Sequence, residues 1–205
     1  MKRAYSVTDA TRIKHETIRL SKEFHDAYGE VESTGVWFIW GGSGSGKSSF
    51  VMQLAKELCR HGRVIYNSLE EGVSLSFQNR LRLFKMEEVS KRFTIVQEDA
   101  AELSARLEKP KSPNIVIIDS FQYFEMNYVQ YKKFKNRHKN KLIIIISQAE
   151  GKQPFDRTAK KVMYDASMKI HVEGHRATSK GRFFGKDKDY FDSWPERAEL
   201  YHGKK

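Results

Sequence analysis

Residues 41–48 read Gly-Gly-Ser-Gly-Ser-Gly-Lys-Ser and follow directly on the apolar run Val-Trp-Phe-Ile-Trp at 36–40. A glycine-rich loop between a strand and a helix lets successive backbone N–H groups curl inward, and the helix start adds partial positive charge. Both suit a phosphate chain. The spacing Gly41-x-x-x-x-Gly46-Lys47-Ser48 is the Walker A pattern. It assigns Lys47 to the β and γ phosphates and the Ser48 hydroxyl to Mg²⁺, with Gly42, Ser43, Gly44, Ser45 and Ser49 completing the loop. A merely flexible Gly/Ser loop would not need Lys-Ser at a helix start. ATP and Mg²⁺ are therefore the expected cofactors.

Downstream, apolar runs alternate with helical patterns. Strands are predicted at 64–67, 93–96, 115–118 and 142–146, and helices at 47–61, 74–84, 100–107 and 128–138. Alternating strands and helices imply a parallel sheet covered on both faces, an α/β fold. The unbroken runs Ile-Val-Ile-Ile at 115–118 and Leu-Ile-Ile-Ile-Ile at 142–146 fit central strands buried on both sides. Ile13, Thr17, Leu20, Phe24 and Tyr28 recur at helical spacing, predicting one amphipathic helix over 8–28. Two weaker strand patterns, at 168–172 and 181–184, suggest a C-terminal β-hairpin at the sheet edge. The expected organisation is an N-terminal helical segment or linker at 1–35, an ATPase core at 36–190, and a polar tail at 191–205 lacking a further core element.

The chain has 205 residues and a formal net charge of +11. Residues 130–188 hold 16 Lys and Arg against 5 Asp and Glu, while the remainder balances. The excess is placed to neutralise a polyanion, or else serves as a solubilising surface. No run approaches the roughly 18 apolar residues of a membrane span, and the start has no signal-peptide core. A cytoplasmic protein without membrane attachment is expected. The single cysteine, Cys59, reads as a packing residue.

Polar residues close three of the apolar strands. Asp119 ends the 115–118 run, where a carboxylate can hold a metal's water shell, the Walker B role. Glu70 and Glu71 follow the second strand, at the mouth where open α/β sheets bind ligands. Either can orient or deprotonate an attacking water. Gln148 ends the fifth strand, where its amide can sense the γ-phosphate or simply tie down a loop.

These residues resemble the RecA-like P-loop ATPases, and within them the RadA and DnaB-type branch. Ser68-Leu69-Glu70 is similar to the Ser-Leu-Glu of DnaB-type helicases, which favours Glu70 as the catalytic base. The resemblance assigns Gln148 to the family's sensor and the stretches after Asp119 and after Gln148 to nucleic-acid loops. Lys180-Gly181-Arg182-Phe183-Phe184-Gly185 resembles the Lys-Asn-Arg-Phe-Gly motif of RadA and the Lys-x-Arg finger of DnaB-type enzymes, with an additional Phe before the glycine. That likeness implies that Lys180 and Arg182 reach a neighbouring subunit's ATP, in a ring or filament with ATP at the subunit interface. A basic hairpin facing nucleic acid or solvent is the other reading. RadA's zinc-binding cysteines and DnaB's separate N-terminal domain have no counterpart here. The resulting minimal core is similar to recombination ATPases of phages and mobile elements.

The function implied is a single-stranded-DNA-dependent ATPase of recombination, repair or replication. Lys152, Arg157, Lys160 and Lys161 would supply phosphate contacts from loops at 121–128 and 149–161. Phe121, Tyr123, Phe124 and Phe155 would supply stacking surfaces. The alternatives are a nucleotide or small-molecule kinase, and an ATP-switched helicase loader without significant catalysis.

Overall fold

The computed structural model describes residues 4–203. The first three and last two residues of the expected terminal segments lie outside it. The chain runs α1 Val7–Arg12, β1 Thr17–Ile18, α2 Lys22–Tyr28, β2 Val31–Glu32, β3 Gly35–Gly41, α3 Lys47–Leu58, β4 Val64–Ser68 and α4 Leu75–Leu83. It continues through β5 Phe93–Val96, α5 Ala100–Glu108, β6 Ile115–Asp119, α6 Tyr128–Arg137, β7 Leu142–Glu150 and β8 Gln153–Pro154. The last elements are α7 Arg157–Asp165, β9 Met168–Glu173, β10 Arg176–Ser179, β11 Tyr190–Asp192 and α8 Pro195–His202.

The main sheet has the order β11-β10-β9-β3-β7-β6-β4-β5, with β8 folded back on the end of β7. Strands β3 to β7 and β9 are mutually parallel, and β10 and β11 continue the sheet antiparallel. The unbroken apolar runs follow from burial on both faces. Trp37 and Ile39 of β3 and Ile144 of β7 pack with Phe50 and Leu54 of α3 and Phe77 of α4. Val36, Phe38, Ile143 and Ile145 point the other way, onto Leu103, Phe134 and Val162 of α5, α6 and α7. Cys59 is buried among the first set, where burial pushes its thiol up to about 11 against the nearby Arg92.

Three expectations are corrected. The helix predicted over 8–28 is two short helices with a strand between them, because Ile18 and Leu20 are buried with the two-residue alternation of extended chain. Only Phe24, Ala27 and Tyr28 keep helical spacing toward the core. The partner of β9 is Arg176–Ser179 rather than 181–184: a turn at Gly174 and His175, both at positive φ, closes the hairpin earlier. The tail beyond Trp194-Pro195 forms α8, its Ala198 fully buried.

Candidate active site

The loop between β3 and α3 carries Gly44 at φ +71° and Gly46 at φ +90°, left-handed conformations that turn the chain back on itself. Gly46 is doubly constrained, since a Cβ there would stand 2.7 Å from His175 Nδ1. The His175 N–H donates to the Ser45 carbonyl at 2.8 Å, so the β9–β10 turn braces the loop. The cavity at the loop, about 290 Å³, is lined by Gly42, Gly44–Ser49, Arg80, His175 and Arg197. Among the described residues, no carboxylate lines it. Ser45 Oγ and His175 Nδ1 are buried there without a hydrogen-bond partner. Lys47, Arg80 and Arg197 gathered round a positive-φ loop fit a phosphate chain.

Asp119 is buried at the carboxyl end of β6, and Tyr66 Oη donates to its Oδ2. Burial pushes the carboxyl up to about 6. Glu70 adds to the rise, while the Tyr66 hydrogen bond and Lys47 oppose it. A divalent cation held by Ser48 and Asp119 would offset that cost. The Asp119 carbonyl accepts from the N–H groups of Leu69 (2.7 Å) and Glu70 (3.1 Å), locking the chain after β4 to the end of β6.

The two adjacent glutamates differ. Glu71 accepts two hydrogen bonds from Arg80, at 2.8 and 3.3 Å, and one from Ser76 at 2.8 Å. Burial raises its carboxyl, but these bonds outweigh it and hold the group below the ordinary carboxylate range. Glu70 is exposed, and its Oε1 accepts from Gln148 Nε2 at 3.4 Å. Gln122 holds Gln148 in turn: its Oε1 accepts the Gln148 N–H at 3.1 Å while its Nε2 donates to Ser147 Oγ at 2.9 Å.

The expected loop at 149–161 is instead the β7–β8 hairpin and the first half of α7. Ala159, Val162 and Met163 pack that helix on the sheet. Arg157, Lys160, Lys161 and Tyr164 share its outward side at i, i+3, i+4 and i+7. Of the expected stacking residues, Tyr123 and Phe155 are exposed, but Phe121 and Phe124 are buried, since the chain after β6 turns in a short 3₁₀ segment onto the α6 face. Lys152 and Lys180, assigned separate roles from sequence, line one cavity of about 360 Å³ with Trp40, Lys169, Tyr164 and His171. Neither Lys180 nor Arg182 lines the phosphate-loop cavity of its own chain.

Sequence reasoning missed Gln122, Arg80, His175 and Arg197. Arg80 lies half-buried beside Phe77 on α4, where its charge reads from sequence as a surface residue, and the other three lie on segments that only folding brings to the site.

No family model matches the sequence, and no curated protein matches it. Solved structures do. Flagellar accessory protein FlaH from Methanocaldococcus jannaschii is similar with a TM-score of 0.60 at 16% identity, over 87% of this chain and 92% of that one. A KaiC-like protein from Pyrococcus horikoshii is similar with a TM-score of 0.59 at 16% identity, over 82% of this chain and 90% of that one. At this identity the likeness concerns the fold, which is the RecA-like arrangement of a mainly parallel sheet with a C-terminal antiparallel extension.

Proposed function

We propose that the chain binds Mg-ATP and hydrolyses it as an oligomer engaged on single-stranded DNA, in recombination, repair or replication. The observation that carries the hydrolytic part is the Gln148–Glu70 hydrogen bond, with Glu70 and Lys47 both close enough to Asp119 to act on its charge. Mg²⁺, when held by Ser48 and Asp119, would neutralise phosphate charge. Lys47 holds the terminal phosphates. Glu70, uncommitted to any cation among the described residues, orients or deprotonates the attacking water. Gln148 links that carboxylate to the strand leading into the Lys152 turn, a short path between the chemistry and a basic surface. Lys180 and Arg182, which do not line the cavity at their own loop, serve a neighbouring subunit's site in a ring or filament.

The basic side of α7 with the exposed rings of Tyr164 and Phe155 supports the polymer reading, because phosphates meet lysines while bases find aromatic faces. Packing of α7 on the sheet argues against a kinase, which needs a movable arginine-bearing lid over the site.

The test is steady-state ATP hydrolysis with and without a single-stranded oligonucleotide, alongside particle mass with a non-hydrolysable ATP analogue. DNA should raise turnover, the analogue should raise the mass, and retention should fall steeply with salt. Hydrolysis indifferent to DNA, with no DNA retained, would rule out the polymer part.

A further inference from the structure

The C-terminal helix α8 is fastened to the phosphate loop through several independent contacts. The Ser193 N–H and Oγ both donate to the His175 carbonyl, at 2.8 and 3.0 Å, and His175 itself braces Ser45 and Gly46. Gln53 Nε2, on the helix that the loop opens, donates to the Ser193 carbonyl at 2.9 Å. Farther along α8, the Tyr201 ring lies over Gly174, and His202 Nε2 meets the Glu173 carbonyl at 3.0 Å. The first turn of α8 is therefore held in register with residues 45 and 46.

That turn carries Arg197. Its guanidinium lies 4.3 Å from the centre of the Trp194 ring, a stacked cation–π geometry that limits its freedom without neutralising it. It lines the phosphate-loop cavity with Lys47, Arg80 and His175. The two arginines there differ in one respect. Arg80 is engaged by Glu71, whereas no carboxylate pairs with Arg197 among the described residues. A positioned, unpaired guanidinium facing a loop built for phosphate is a bidentate anion donor awaiting its acceptor.

We propose that Arg197, supported on Trp194, is a phosphate ligand for the nucleotide bound by the phosphate loop of the same chain. The C-terminal helix is then one wall of the nucleotide site. This inference rests on the nucleotide-binding reading above and adds to it a contact supplied in cis, distinct from the Lys180 and Arg182 pair offered to a neighbour.

The experiment is calorimetric titration of the full chain with ADP, ATP and adenosine, for wild type, Arg197→Ala and Arg197→Lys. Loss of one charge-assisted hydrogen-bonding group should weaken ADP and ATP binding by about tenfold or more, with part of the loss recovered in the lysine variant. Because Arg197 is exposed, the alanine variant should melt like wild type, and Arg197→Gln serves if it does not. Wild-type affinity for ADP and ATP in both uncharged variants would overturn the proposal. A wild-type chain that binds neither nucleotide would overturn it together with the reading on which it rests, so the two failures are distinguishable. Mixing Arg197→Ala with Lys47→Ala chains separates cis from trans. Within one chain neither mutant supplies a complete site, and affinity stays low; recovery on mixing would show that Arg197 serves a neighbour and would overturn the cis assignment.

Discussion

The side-chain amide of Gln148 donates to the Glu70 carboxylate across 3.4 Å, joining the ends of β7 and β4, which are separated in the sheet by β6. The contact distinguishes two glutamates that adjoin in sequence. Glu70 faces the site with an amide partner, while Glu71 is bound to Arg80. Replacing Glu70 with Gln should lower ATP turnover by about 10²- to 10⁴-fold, the usual worth of a general base, with ATP affinity retained. Glu71→Gln should instead cost about 1–2 kcal/mol of stability from its lost charge-assisted hydrogen bonds, with a smaller effect on turnover. Single-turnover kinetics and thermal melts of both variants decide between them.

The phosphate loop makes a contrasting pair of glycine predictions. Gly46 has φ +90° and His175 at its back, whereas a Cβ at Gly42 would meet nothing within 4 Å. Gly46→Ala should cost about 1–3 kcal/mol through strain and abolish nucleotide binding. Gly42→Ala should leave the melting temperature close to wild type. Differential scanning fluorimetry with and without ADP reads both effects.

Asp119 gives a pH signature in the metal-free protein. Its carboxyl is raised by burial to about 6 in the folded chain, against about 3.9 unfolded. Between those values the folded state binds more protons than the unfolded one. Stability therefore falls as pH rises through that window, and the full cost stands above it. Asp119→Asn removes the charge. It should stabilise the apoprotein by about 1–3 kcal/mol at pH 7.5, with the gain vanishing below about pH 4. Denaturant titrations in chelator at several pH values provide the check.

Lys152 and Lys169 share a cavity with Trp40 and His171, and the Trp40 ring lies 5.2 Å from that of His171. If this surface holds single-stranded DNA, neutralising both lysines should weaken binding. It should also reduce the slope of log affinity against log salt by about one to two, given roughly 0.7 per phosphate contact, while ATP affinity is unchanged. Fluorescence anisotropy of a labelled oligonucleotide over a salt series measures both quantities.

Much of the candidate site was legible because it is local in sequence. The Gly41 to Ser48 spacing and the polar residues closing apolar strands, Asp119 and Gln148, declare themselves through positions along the chain. The placement of Phe121 and Phe124 was not legible, since an aromatic after a strand reads alike whether its 3₁₀ turn points it into the core or out. Nor was the early closure of the β9–β10 hairpin, which depends on two positive-φ residues, one of them His175.

The sequence by itself determined a glycine-rich loop of Walker A spacing on a parallel, doubly covered sheet, because backbone curvature at glycines and two-sided burial of aliphatic strands are imposed by neighbouring residues. Tertiary structure alone decided which glutamate takes a cationic partner, through the reach of Arg80 from the next helix to Glu71. It alone brought Lys152 and Lys180 into one cavity. It also turned a polar tail into a wall of the phosphate-loop cavity, because the bonds from Ser193 to His175 and from Gln53 to Ser193 span too much chain for any local pattern to announce them.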